Sequence, residues 1–277
     1  MSGLGGLEGT KAFLGLVPTH DPLRWQLPLR RELMTAGGFL YGGAGLAAAI
    51  AVMELSTNRP VVWATAQYIS FARMPAVLDL DITISAHGRN TTQARCSVRS
   101  GHEEILVTLA TLGRKDLPIE GIWATRPDVP SWRETRPQLP EPVLGTVHEA
   151  IDMRIVHGIS RRQLIRGRTD RQDASGRAAY WLRIPGGPKV PDAADLAMVG
   201  DVVPSAFANA TGEPIAGNSL DNTIRTAKLV QTEWVLADVQ VQAIGDGFGY
   251  GRAHLWAEDG TLLGTASQSS VIRSPPT

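Results

Sequence analysis

The chain is poor in the residues that carry redox and metal chemistry. One cysteine, Cys96, stands in 277 residues, which excludes an intrachain disulfide and a thiolate metal centre. The six histidines show no metal-ligand spacing such as His-Glu-x-x-His, so neither a metal nor a redox cofactor is expected. Charge is sparse and balanced, with 27 basic and 27 acidic residues. Nothing in that balance favours nucleic acid or an anionic membrane surface as the main partner. No apolar run reaches the ~20 residues needed to cross a bilayer. Met1–Gly9 is Gly-rich without a basic stretch, so no secretory leader and no membrane insertion is expected, and the setting is read as cytoplasmic. No Gly-rich loop has the form of a phosphate-binding motif, and Ser160 and Ser205 lack the Gly-x-Ser-x-Gly context of a serine hydrolase.

What is present is organised around Gly42–Leu55. Thirteen of these fourteen residues are apolar or Gly, Glu54 being the exception. A helix that is apolar on every side is wrapped by protein, and at ~21 Å it is too short to span a bilayer. Strand patterns follow at Val61–Phe71, Leu78–Ala86, Thr92–Arg99 and Ile105–Gly113, separated by short turns that imply antiparallel neighbours. Leu23–Leu33 reads as an edge strand interrupted by Pro28. A sheet curled around a buried helix is the expected first unit, residues 1–114.

Residues 115–145 carry six prolines with Trp123 and Trp132, and read as an extended strap that packs against its neighbours. Residues 146–277 then repeat the first pattern. Strands are expected at Glu149–His157 and Ala178–Ile184. Between them the arginines from Arg161 to Arg177 form either a solvated tip or a surface for ligand phosphates. One helix is expected over Asp192–Ala210. Strands follow at Ser219–Thr226, Glu233–Ala243, Tyr250–Ala257 and Leu262–Ile272. At an offset of about 159, Gly88 meets Gly247 and Gly101 meets Gly260, which points to duplication.

Several stretches carry a family likeness. Phe39-Leu40-Tyr41-Gly42-Gly43 precedes the first helix. Ser219-Leu220-Asp221-Asn222-Thr223-Ile224, Glu233-Trp234 and Asp259-Gly260-Thr261-Leu262 through Gln268 mark the second half. Together they resemble the double-hotdog acyl-CoA thioesterases of the thioesterase II type. The resemblance implies an α+β double hotdog and hydrolysis of a fatty acyl-CoA to free acid and CoA by an activated water. It implies Asp221 as the base and Gln268 as the group that orients the water. Gln242 stands where the family has Ser or Thr, and is expected to assist Gln268. Free backbone N–H groups at a helix start favour developing negative charge, so Gly42 and Gly43 are expected to meet the thioester carbonyl. Two other readings stay open: a non-catalytic acyl-CoA-binding protein, and a hotdog enoyl-CoA hydratase. Acyl-CoA is the expected partner, and a homodimer or higher homo-oligomer the expected assembly.

Overall fold

A computed structural model describes residues 8–135, 145–159, 163–164, 166 and 174–274. Most of the Arg161–Arg177 stretch therefore lies outside the described residues.

The first half begins with a short helix α1 (Gly9–Leu14) and strands β1 (Val17–Pro18) and β2 (Arg24–Pro28). The long helix α2 (Gly42–Thr57) follows, then β3 (Val61–Tyr68), β4 (Val77–His87), β5 (Thr91–Ser100) and β6 (Glu103–Gly113). The second half contains α3 (Val147–Ala150), β7 (Met153–His157), β8 (Arg177–Arg183), α4 (Ala193–Gly200) and α5 (Val203–Thr211). It closes with β9 (Ala216–Ser219), β10 (Asp221–Thr226), β11 (Trp234–Gly245), β12 (Phe248–Ala257) and β13 (Leu262–Arg273).

All strands form one antiparallel sheet in the order β1-β2-β4-β5-β6-β3-β10-β13-β12-β11-β8-β7, with β9 on β13. The halves meet where β3 pairs with β10, so each closes an edge that the other would leave open. Thr65 and Thr223 are partners there, and their hydroxyls lie 2.7 Å apart. This is the double hotdog: two helix-wrapped sheets joined edge to edge.

Helix α2 is buried from Gly43 through Glu54. Its small residues leave no ridge, so α4 packs directly against it, and Gly43 lies so close that an added Cβ would meet the Ala197 carbonyl at 2.8 Å. Among the described residues no helix is long and apolar enough to cross a membrane.

Residues 124–135 of the strap pack on the outer face of the second half, whereas Trp123, expected to pack, is exposed. The Trp132 ring stacks on Trp234 at 4.7 Å, and the Trp181 indole N–H donates to the Pro130 carbonyl at 2.9 Å. Apolar and aromatic area on that face is thereby withdrawn from water.

The single helix expected over Asp192–Ala210 is corrected: it is two helices, broken at Asp201-Val202. Asp201 leaves the helix with φ −80° and ψ 59°, and Pro204 sits in the first turn of α5. A proline has no N–H to give to a continuing helix, and its ring disfavours helical geometry before it. The break turns the Asp201 carboxylate into the space between the halves.

Candidate active site

Three elements converge on the Asp201 carboxylate. At the start of α2, the Gly43 N–H donates to Oδ2 at 2.7 Å. From β13, the Gln268 side-chain amide donates through Nε2 to Oδ1. The same nitrogen donates to the Ser219 hydroxyl oxygen at 3.1 Å. The other end of that amide accepts from the Val203 N–H at 3.2 Å, which fixes which way Gln268 faces. Ser219 thus accepts from Gln268 and keeps its own proton to donate.

Two tyrosines flank the group. The Tyr41 hydroxyl donates to the Asp201 and Met198 carbonyls, and the Tyr68 hydroxyl donates to the Gly42 carbonyl. Burial, reinforced by the Asp201 charge, holds both phenols well above their usual range. They remain neutral donors. Burial also raises the Asp201 pKa above the ordinary carboxylate value, while the bonds from Gln268 and Gly43 oppose the rise. A carboxylate so placed is a stronger base than one in water.

The group opens onto a cavity of about 360 Å³ between the halves. Its walls are largely apolar, with Leu40, Phe71, Ile105, Ile151 and Met153 among them, and Arg273 also borders it. An apolar cleft with a few convergent polar groups is the usual form of a small-molecule site. Among the described residues no cluster of His, Cys, Asp and Glu could hold a metal ion.

The residues singled out from the sequence divide. Gln268, Gly42 and Gly43 meet at this site. Asp221 does not join them. Ser219 is paired with Ser270, yet Thr223 is paired with Ser267, so the β9–β10 run holds one residue more than its partner strand. Such a bulge exchanges the two faces beyond it. Ser219 points inward to Gln268, whereas Asp221 shares the outer face with Gln67 and accepts from the Ser269 N–H at 2.8 Å. Gln242 also lies elsewhere: it is exposed, at the irregularity between Val241 and Ala243 near the end of β11.

Two members of the group were not expected from the sequence. Asp201 was hidden in an apolar stretch that reads as uninterrupted helix. Gly200-Asp201 ahead of Pro204 is the signal that marks it. Ser219 opens the Ser-Leu-Asp stretch, in which the resemblance points to Asp221 alone.

Only one half carries this group. Thr65 and Thr223 are 158 residues apart, and the same step takes Gln268 back to Ala110 and Ser219 back to Val61. Helices α2 and α5 both end in left-handed caps, Asn58 and Gly212, and the 154-residue step between those caps takes Asp201 back to Ala47. The first half has no polar side chain at any of the three positions.

Residues 126–272 match a family model described as the acyl-CoA thioesterase C-terminal domain. A candidate thioesterase from Novosphingobium aromaticivorans is 30% identical, with a TM-score of 0.81, over 94% of this chain and 98% of that one. A hot dog fold protein of unknown function from Alicyclobacillus acidocaldarius has a TM-score of 0.80 at 17% identity, over 93% of this chain and 96% of its own. An acyl-CoA thioesterase II from Mycobacterium marinum has a TM-score of 0.72 at 15% identity, over 96% and 98%. No curated protein matches the sequence. A family model spanning over half of the residues, and a relative alike along almost the whole chain, place this protein in the acyl-CoA thioesterase family as a double-hotdog thioesterase.

Proposed function

We propose that the chain hydrolyses an acyl-CoA to the free carboxylic acid and CoA, with Asp201 as the general base. The observation that carries the proposal is the shared hold on Asp201 and Ser219 by one fixed amide, Gln268, beside the start of α2. A water set between Asp201 and Ser219 accepts a hydrogen bond from the serine and gives its proton to the carboxylate as it attacks the thioester carbon. The Gly43 N–H is given to Asp201, so the oxygen that gains charge would meet the positive end of α2 through the Gly42 N–H. Collapse of the tetrahedral intermediate expels the CoA thiolate and leaves the acid. This assignment moves the base from Asp221 to Asp201 and the hydroxyl from the Gln242 position to Ser219. Arg273, on the cavity wall, would pair with a phosphate of CoA.

The test is the release of free thiol from a series of acyl-CoAs by wild type, Asp201→Asn and Asp221→Asn. Turnover that survives in Asp201→Asn, with the variant folded, removes Asp201 from the chemistry.

A further inference from the structure

On the cavity wall contributed by the second half, His148 on α3 stands among Ile151, Met153 and Leu182. Its ring meets Tyr41 edge-on, with centroids 6.0 Å apart. It makes no hydrogen bond among the described residues, whereas four other hydroxyls on the cavity are committed. Thr35 donates to the Phe39 carbonyl, Ser70 to Glu103, and Tyr41 and Tyr68 to main-chain oxygens. Burial lowers the His148 pKa, so the ring is neutral and offers one donor and one acceptor. An unpaired polar ring set in an apolar wall is costly unless something pairs with it when the cavity is filled.

We infer that His148 is a specificity residue which selects acyl groups bearing an oxygen, a hydroxyl or keto group, a few carbons beyond the thioester carbonyl. The distance follows from the packing. The Tyr41 hydroxyl donates to the Asp201 main-chain carbonyl at 3.0 Å, and the edge of the same Tyr41 ring meets His148, so one tyrosine links His148 to the Asp201 backbone. A saturated chain passing that wall leaves the imidazole unpaired; an oxygenated chain satisfies it. The preferred substrate is therefore an oxygenated acyl-CoA, within the thioesterase activity proposed above.

The experiment compares octanoyl-CoA with hydroxyoctanoyl-CoAs whose hydroxyl is moved carbon by carbon along the chain. Wild type should favour one regioisomer over octanoyl-CoA by about tenfold in kcat/KM, the worth of one hydrogen bond in a dry site. His148→Phe, which keeps the ring against Tyr41, should bring that ratio close to one. His148→Gln, which keeps a hydrogen-bonding group, should restore part of it. No preferred regioisomer in wild type, or an unchanged ratio in His148→Phe, overturns the inference. If wild type hydrolyses none of the esters, the thioesterase reading fails by itself. Calorimetric binding of octanoic acid and the hydroxyoctanoic acids then decides the role of His148, and equal affinities for all of them overturn it.

Discussion

The N–H of Gly43 donates to the Asp201 carboxylate across 2.7 Å, from the start of α2 in one half to the broken helix of the other. Neither half can form the site alone, and the close approach depends on the missing Cβ. At Gly43 an added Cβ would meet the Tyr41 ring at 2.7 Å, the Ala197 carbonyl at 2.8 Å and the Asp201 Cβ at 3.0 Å. Helix propensity alone favours alanine over glycine by about 1 kcal/mol. Overpacking against a fixed carbonyl costs about 1–3 kcal/mol and should win. Gly43→Ala is therefore expected to lower the melting temperature and to cut kcat by more than the loss of folded protein explains. A variant that melts higher than wild type and keeps full kcat would contradict this contact.

Asp201 and Asp221 offer a paired test. Both are aspartates of the second half, on opposite faces of the sheet. Loss of a general base costs ~10²–10⁴-fold in rate. Asp201→Asn should lose kcat on that scale with KM changed a few-fold, because the amide keeps most of the shape. Asp221→Asn should stay close to wild type. Ser219→Ala should fall between them, since Ser219 steadies the water without taking its proton. The comparison is read by steady-state thiol release, and a large loss in Asp221→Asn with activity kept in Asp201→Asn would reverse the assignment.

The pH dependence follows from the direction of the Asp201 shift. Burial first, against the bonds from Gln268 and Gly43, leaves the pKa above that of an ordinary carboxylate. Hydrolysis needs the ionised form, so kcat/KM should fall as pH drops, with its acid limb above the ordinary value of about 4. Stability runs the other way. A carboxyl group with a raised folded pKa stabilises the fold most below its unfolded pKa, and that contribution is lost as pH rises through the folded one. In Gln268→Ala a bond that lowers the pKa is gone, so the acid limb should move further up. An unmoved limb would disconnect Gln268 from Asp201.

The parts set by period and composition could be read from the sequence. The apolar ring of Ala44–Met53 marks a buried helix, and the turns at Gly88, Gly101, Gly247 and Gly260 mark a duplication. Gln268, Gly42 and Gly43 were legible through resemblance. The features that place the catalytic group are breaks in period, which alternation cannot show. One extra residue near Leu220 reverses the faces, so Ser219 and Asp221, two apart and expected on one face, point opposite ways. The α4–α5 break hides Asp201 in the same manner. Apolar neighbours on both sides favour a continuous helix, and the pattern of apolar residues gives no weight to Pro204.

The second buried charge group holds the fold together at the far end of α2. Lys11 Nζ lies 2.7 Å from Glu54 Oε2 and 2.8 Å from Asp192 Oδ2, and these side chains are 18%, 9% and 30% exposed. Glu54 also accepts from the Val61 N–H at 2.8 Å. Lys11 thus ties α1 to α2 and to the start of α4. Burial pulls the ammonium pKa down, but the two carboxylates outweigh it and hold it above the usual range. Its contribution is therefore complete below its unfolded value of about 10.4 and is lost only as pH rises through the folded one. Lys11→Met keeps the aliphatic stem and removes the charge, leaving two carboxylates facing each other in a dry setting. Removing one partner of a buried pair costs about 3–5 kcal/mol, on the order of 10 °C in melting temperature for a chain of this size. Burial and then Asp192 already raise the Glu54 pKa, and without Lys11 it rises further. Protonation of Glu54 relieves the repulsion, so the deficit of Lys11→Met should shrink as pH falls from 8 to 5. Glu54→Gln in the Lys11→Met background should recover part of the loss at pH 8 and remove most of its pH dependence. Thermal melts of the two variants and wild type at both pH values decide it. A deficit that is constant with pH, or that grows as pH falls, would show that Lys11 acts through packing and not through Glu54.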